Sequence, residues 1–146
     1  AVSALDASIQ AQIVDLIRDL QNKFGMSLIF ISHDLSVVRQ IAHRVMVLYL
    51  GRVVEFADRD ALYSDPRHPY TKALLSAVPI PDPKVERTKK RVRLTGELSS
   101  PLDTRAGLTF LKSKMIDNPE AEQYRPKLVE VAQGHLVAEH DPAAFI

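Results

Sequence analysis

The sequence predicts an α/β fold followed by a small, loop-rich α+β appendage. Three observations lead to this prediction: a long amphipathic helical repeat near the N-terminus, short apolar β-rich runs after it, and a C-terminal part rich in turn residues. The chain has 146 residues, of which 46% are hydrophobic and 25% charged, so its size and composition suit a protein with a buried core.

The first predicted element is a helix that ends before Gly25. A glycine suits the position just beyond a helix C-terminus, and Asp6 or Ser8 can cap the helix start. The apolar residues recur at the spacing of one helix face. They are Ile9, Ile13, Leu16, Ile17, Leu20 and Phe24.

Two strand-like segments follow. Residues 28–31 form a short, uninterrupted apolar run, which indicates a strand buried on both faces, as in a parallel sheet. After an amphipathic helix at residues 35–42, residues 45–50 are predicted to form a second strand. Gly51-Arg52 then makes a plausible two-residue turn into a third strand at residues 53–56.

Two short helices are predicted after this hairpin. Asp58 can cap the first, and the Asp65-Pro66 pair ends it. Pro69 suits the first turn of the second helix, residues 70–78, because the N–H that proline lacks has no helical partner there. Pro79 ends that helix and begins a stretch of different composition.

The chain divides by composition into three regions. Residues 1–64 hold the helices and strands of the α/β part. Residues 65–93 hold the last helix and a basic, proline-rich linker, and residues 94–146 form the appendage, where turn residues are frequent and periodicity is weak.

Composition excludes several classes of function. The formal net charge is +1, which gives no general attraction to nucleic acids or anionic membranes. The chain has no cysteine, so disulfides, thiolate catalysis and cysteine-ligated metals are excluded, which fits a reducing compartment without proving one. No apolar run reaches about 18 residues, and no signal peptide is recognisable.

Two polar segments carry the candidate chemistry. Ser3-Ala4-Leu5-Asp6 precedes the first helix, and Ser32-His33-Asp34 follows the predicted strand of residues 28–31. Ligand-binding groups of open α/β sheets gather at the carboxyl ends of strands, where a histidine can bind a phosphate oxygen or orient a water. Each segment taken alone has an ordinary interpretation, since the first reads as a helix cap and a single histidine after a strand is usually structural.

Together, in this order and spacing, the two segments resemble the final part of an ABC-transporter ATPase, a P-loop protein. Ser3-Ala4-Leu5-Asp6 is similar to the D-loop of that family, and His33 to its switch histidine in the H-loop. The segment from Asp65-Pro66-Arg67-His68-Pro69-Tyr70 to Leu75 resembles the "HPY" segment of the oligopeptide/dipeptide importer branch.

The resemblance implies an ATP-hydrolysing subunit that powers peptide import from the cytoplasmic face of the inner membrane. In such proteins two ATPase subunits enclose ATP and Mg²⁺ and drive a membrane permease, while the permease and a binding protein carry the peptide. His33 would contact the γ-phosphate and steady the attacking water. Ser3, Ala4, Leu5 and Asp6 would lie at the dimer interface near ATP.

Several family motifs are not found in this sequence. It contains no G-x-x-x-x-G-K-[ST] loop, no glutamine loop and no L-S-G-G-Q signature, and the Walker B residues would precede Ala1. Residues 1–64 therefore resemble the C-terminal remnant of the nucleotide-binding domain, and the isolated chain is predicted to be inactive. Because both neighbours of the strand at residues 28–31 would be missing, we expect residues 1–56 to be displaced, swapped or self-associated.

The appendage departs from its relatives, many of which carry cysteines there that can hold an iron–sulfur cluster. Leu108, Lys114 and Glu139 stand at the corresponding places, so no cluster is expected. His135, Glu139, His140 and Asp141 lack the spacing of a known metal site and are interpreted as surface residues.

Two other functions stay open at this point. Residues 65–146 could act as an interaction module that dimerises ATPase subunits and has no catalytic role. The basic residues from Lys84 to Arg93 could contact nucleic acid, but no aromatic residues alternate with them, so no nucleic-acid partner is expected.

Overall fold

A computed structural model describes residues 7–78 and 126–140 of the chain. The chain divides into two compact units, Ala1–His43 and Arg44–Ile146. The first contains α1 (Ala7–Phe24) and α2 (Leu35–Ile41). The second contains β1 (Arg44–Tyr49), β2 (Arg52–Asp58), α3 (Arg59–Ser64), α4 (Pro69–Ala77), β3 (Leu128–Ala132) and β4 (His135–Ala138).

Helix α1 confirms the first predicted element. It ends at Phe24, and Gly25 adopts φ +60°, a left-handed conformation that costs glycine little, while its N–H donates to the Gln21 carbonyl at 2.8 Å. The helix begins at Ala7, so Ser8 is not its N-cap, and the predicted cap at Asp6 lies outside the described residues.

The predicted strand at residues 28–31 is wrong. Leu28 is 44% exposed, Ile29 91% and Ile31 90%, and the segment is neither helix nor strand. A strand forms when a neighbour satisfies its backbone groups, and in residues 7–78 and 126–140 no strand pairs with this run. The β-propensity of the segment is therefore unrealised.

Helix α2 confirms the second predicted helix and supplies most of the buried side chains of the first unit. Val37, Val38 and Ile41 are buried on α2, and Val14 is buried on α1. The two helices are in contact, and the Arg18 guanidinium donates to the Gln40 carbonyl at the end of α2. None of the described helices is both long enough and apolar enough to span a membrane.

Strands β1 and β2 form the predicted hairpin, but the turn lies one residue earlier than expected. Tyr49 pairs with Arg52, so the two turn residues are Leu50 and Gly51. Both have positive φ, +46° and +77°, as the common two-residue hairpin turn requires. Only the second position is occupied by glycine, which is why the sequence pattern placed the turn incorrectly.

The sheet contains four antiparallel strands in the order β1-β2-β4-β3. Strand β4 joins the first hairpin by pairing Val137 with Glu55 and Leu136 with Phe56. The α/β class is confirmed, whereas the parallel arrangement expected for residues 28–31 is absent from the described sheet. The C-terminal hairpin β3–β4 therefore completes a sheet that begins far earlier in the chain, a pairing that the sequence did not predict.

The two short helices follow β2 as predicted. Asp58 occupies the N-cap position of α3, but its carboxylate makes no cap hydrogen bond and instead lies 3.5 Å from the Arg44 guanidinium. Helix α3 contributes Leu62, which is fully buried. Pro69 is the first residue of α4, as expected from its missing N–H.

Candidate functional site

His33 lies in the connection between α1 and α2, immediately before the N-cap residue of α2. The His33 side chain is exposed, and its neighbours on both sides are held by hydrogen bonds. The Asp34 N–H donates to the Ser32 hydroxyl at 3.0 Å, and the Asp34 carboxylate caps α2. His33 does not follow a strand in the described structure, but its backbone is fixed between two ordered residues while its ring faces solvent.

Asp34 anchors this connection. Its carboxylate accepts the Ser36 hydroxyl at 2.5 Å, the Ser36 N–H at 2.9 Å and the Val37 N–H at 3.4 Å, and the Gln10 amide donates to it from α1 at 3.3 Å. The Ser36 hydroxyl, followed by backbone and Gln10 donors, lowers the pKa of Asp34 although partial burial acts to raise it. The ionised Asp34 carboxylate therefore links α1 to α2 at the position directly after His33.

The structure does not describe the second polar segment that the sequence indicates as a candidate site. Ser3, Ala4, Leu5 and Asp6 lie outside the described residues, so their place at the dimer interface near ATP stays a prediction. Leu108 and Lys114 of the appendage also lie outside the described residues.

A second cluster, which sequence reasoning missed, surrounds Glu55 in the second unit. Glu55 is fully buried in β2, and its carboxylate accepts the Arg67 N–H at 2.8 Å and the His68 N–H at 3.0 Å. The His135 ring contacts the same carboxylate, with 2.7 Å between Nε2 and Oε1. We call this arrangement the Glu55 clasp: the Glu55 carboxylate, the two backbone N–H groups before α4, and the His135 ring.

The signal for the clasp was an acidic residue inside an apolar strand. Glu55 stands between Val54 and Phe56, and an ionised group is rarely buried unless it has partners. Nothing in the spacing indicated that those partners are 12, 13 and 80 residues away. His135 was interpreted as a surface residue; that was wrong, because only 5% of it is exposed.

His68 adjoins the clasp and caps α4. It is 1% exposed, and its Nδ1 accepts the Tyr70 N–H at 3.2 Å, which requires an unprotonated Nδ1. Burial lowers the pKa of His68 to about 3, and neighbouring His140, whose ring centroid lies 5.0 Å away, acts in the same direction. His68 is therefore a neutral cap of α4.

Three of the four residues considered for a metal site, His135, Glu139 and His140, lie among the described residues. Among residues 7–78 and 126–140, no group of three histidine or acidic side chains could hold a metal ion, and Asp141 lies outside those ranges. His140 Nδ1 contacts the Ala138 carbonyl at 2.8 Å, and the Glu139 carboxylate accepts the Lys127 N–H at 3.1 Å. Both side chains thus stabilise the C-terminal hairpin.

A cavity of about 290 Å³ opens beside the clasp. Aliphatic side chains, including those of Val54 and Leu128, form much of its wall, and Arg52 and Glu139 are the charged residues there. Pockets for small ligands span about 300–1,000 Å³, so this cavity lies at the lower limit of that range.

Comparison with known proteins relates the chain to one family. Residues 54–113 match the family described as the oligopeptide/dipeptide transporter, C-terminal region. The chain is 56% identical over 127 residues to the oligopeptide transport ATP-binding protein OppF of Salmonella typhimurium, which is 87% of this chain and 38% of that relative. It is 46% identical over 139 residues to the putative oligopeptide transport ATP-binding protein YkfD of Bacillus subtilis, or 95% of this chain and 42% of that relative.

The chain carries the C-terminal region of the oligopeptide/dipeptide transporter family at residues 54–113, and over most of its length it is similar to oligopeptide transport ATP-binding proteins. The resemblance based on Asp65 to Leu75 is thereby confirmed. The chain spans about two fifths of the length of these curated relatives. The match at residues 54–113 includes Glu55, Arg67 and His68 of the second site, whereas His135 lies beyond it.

Proposed function

We propose that this chain is part of the ATP-hydrolysing subunit that powers peptide import, and that the subunit works peripherally at the cytoplasmic face of the inner membrane. The observation that carries the proposal is the 56% identity over 127 residues to an oligopeptide transport ATP-binding protein. The match to the family's C-terminal region over residues 54–113 supports it independently. A second ATPase subunit and the membrane permease are the partners, the peptide is carried by the permease and a binding protein, and no nucleic acid takes part.

His33 is the proposed catalytic residue. The His33 imidazole is exposed, and the residues on either side of it, Ser32 and Asp34, are fixed by hydrogen bonds. Such a ring can donate a hydrogen bond to the γ-phosphate of ATP and steady the attacking water. Ser3, Ala4, Leu5 and Asp6 are proposed to lie at the interface with the second ATPase subunit, near ATP. Hydrolysis is then mainly a matter of positioning and charge stabilisation.

Mg²⁺ accompanies ATP in this proposal for the whole subunit, where it would neutralise phosphate charge. Residues 7–78 and 126–140 provide no cluster of three histidine or acidic side chains that fits a metal ion. We therefore derive no step through a metal held by the described residues, and no iron–sulfur cluster is proposed for this chain.

The catalytic proposal is tested in the whole ATP-binding subunit with His33→Ala. We expect ATP turnover to fall about 100-fold or more, since a positioned donor at the phosphate commonly contributes that much, while ATP binding is largely kept. A matched control is His43→Ala, at an exposed histidine just after α2. Equal ATP turnover in the two variants would show that His33 does not act on the phosphate.

The 146-residue chain by itself is proposed not to hydrolyse ATP, because its sequence contains no phosphate-binding loop. The measurement is Mg²⁺-dependent phosphate release by the purified chain, compared with the His33→Ala variant of the same chain. Turnover that His33→Ala abolishes would contradict this part of the proposal without affecting the assignment of the whole subunit.

A second candidate function is dimerisation through residues 65–146. It is favoured by β3, an edge strand of the sheet that the described residues form, on which Leu128, Val129 and Val131 are 42%, 47% and 50% exposed. An unpaired edge with apolar side chains can pair with the same strand of another subunit. Light scattering should then show a concentration-dependent dimer that Val131→Lys weakens. A strict monomer at high concentration would argue against this function.

A further inference from the structure

The Glu55 clasp joins three separate segments through one side chain. Glu55 belongs to β2, Arg67 and His68 immediately precede α4, and His135 begins β4. Glu55 is 0% exposed, His68 1% and His135 5%, so water does not compete for these contacts. The cost of burying a carboxylate is offset only when all of its donors are in place.

The three hydrogen-bond donors to the Glu55 carboxylate depend on different parts of the fold. Arg67 and His68 offer backbone N–H groups that are available only when the chain before α4 follows its observed path. His135 offers a ring donor that is available only when β4 lies beside β2, where Val137 pairs with Glu55. A carboxylate oxygen can only accept, so the 2.7 Å contact has Nε2–H as its donor.

We propose that the Glu55 clasp is a conformational coupling device, through which docking of the β3–β4 hairpin on β2 orders the start of α4. When the hairpin leaves, Glu55 loses the His135 donor, and water reaches the buried carboxylate. The oxygens then exchange backbone N–H groups for water, and the beginning of α4 loosens. The C-terminal hairpin thereby controls the conformation of the Arg67–Tyr70 segment.

The positions of the cap and the packed rings agree with this coupling. His68 donates its own backbone N–H to Glu55 and caps α4 through its ring Nδ1. The His68 ring also contacts His140, just beyond β4, at 5.0 Å between centroids. Loss of the Glu55 hydrogen bonds therefore acts directly on the residue that caps α4, and the ring contact connects that residue to the end of β4.

The test compares His135→Leu with His135→Gln in the whole ATP-binding subunit. Leucine removes the donor and keeps an apolar side chain, whereas the glutamine amide can still donate to Glu55. Amide hydrogen exchange at Arg67, His68 and Tyr70 is the readout. We expect about tenfold or faster exchange at these amides in His135→Leu, since a lost donor to a buried charged group has an effect of that order. His135→Gln should stay within about threefold of the unchanged protein by the same reasoning.

Three results would overturn the proposal. The first is faster exchange in β4 of His135→Leu with no change at Arg67 and His68. The second is an equal effect of leucine and glutamine, because the donor would then be irrelevant. The third is a uniform rise that includes β1 and α3, which would indicate a general loss of stability rather than coupling.

Discussion

Acidification should weaken the fold through one side chain, His68. In the folded chain Nδ1 of His68 accepts the Tyr70 N–H, and burial lowers the pKa of the ring to about 3. In the unfolded chain the ring has its ordinary pKa of 6.5. Below pH 6.5 the His68 ring is therefore protonated in the unfolded state but not in the folded state. The contribution of neutral His68 to the free energy of unfolding is fully present above pH 6.5 and is lost as the pH falls toward 3.

The size of the effect follows from the two pKa values. Each pH unit between them changes the free energy of unfolding by about 1.4 kcal/mol for one proton. Between pH 7 and pH 5 the loss that His68 causes is about 2 kcal/mol, because the transition begins only near the unfolded value. Domains of this kind are stable by about 5–15 kcal/mol, so the loss is a measurable fraction.

The assay is urea denaturation followed by circular dichroism at pH 5, 6, 7 and 8. The matched variant is His68→Asn, because an asparagine oxygen can accept the Tyr70 N–H but does not titrate. We expect the variant to lose about 2 kcal/mol less than the unchanged chain between pH 7 and pH 5. Both proteins share every other ionisable residue, so the difference reports on the substituted His68.

Parallel pH curves for the two proteins would refute the reasoning. They would mean that His68 takes up its proton in the folded state near pH 6.5, which is incompatible with a buried Nδ1 that accepts the cap hydrogen bond.

Two other substitutions test the described packing and capping with the same denaturation assay. Leu62→Ala, at a fully buried residue of α3, should lower the free energy of unfolding by about 2–5 kcal/mol, whereas Leu48→Ala, at a residue 52% exposed, should change it by less than about 1 kcal/mol. Similar losses would show that Leu62 is not in the core. Asp34→Ala should cost about 1 kcal/mol by removing the cap of α2, while Asp34→Asn keeps an accepting oxygen and should cost little. Equal losses in the two Asp34 variants would contradict the capping role.

Features set by neighbouring residues were predicted well. The helical repeat of α1, the glycine after it and the proline at the start of α4 each depend on backbone geometry within a few residues. The hairpin was placed correctly, but its turn was displaced by one residue because Leu50 adopts a positive φ that leucine rarely takes.

Features that depend on distant partners were not predicted. The run at residues 28–31 has a strong β-propensity, yet Ile29 and Ile31 are about nine-tenths exposed because no described strand lies beside them. Glu55 was read as one residue of an apolar strand, and its buried carboxylate became intelligible only when Arg67, His68 and His135 were found around it.

The amino-acid order alone therefore determined the family, the helices, the hairpin and the candidate His33, since these depend on short motifs and local periodicity. Tertiary structure decided which strand-like run is a strand, how β4 completes the sheet, and why Glu55 can be buried. The physical reason is that buried backbone and carboxylate groups need hydrogen-bond partners, and folding alone decides which groups come close enough to serve. A partner 80 residues away, such as His135 for Glu55, cannot be recognised from the spacing of neighbouring residues.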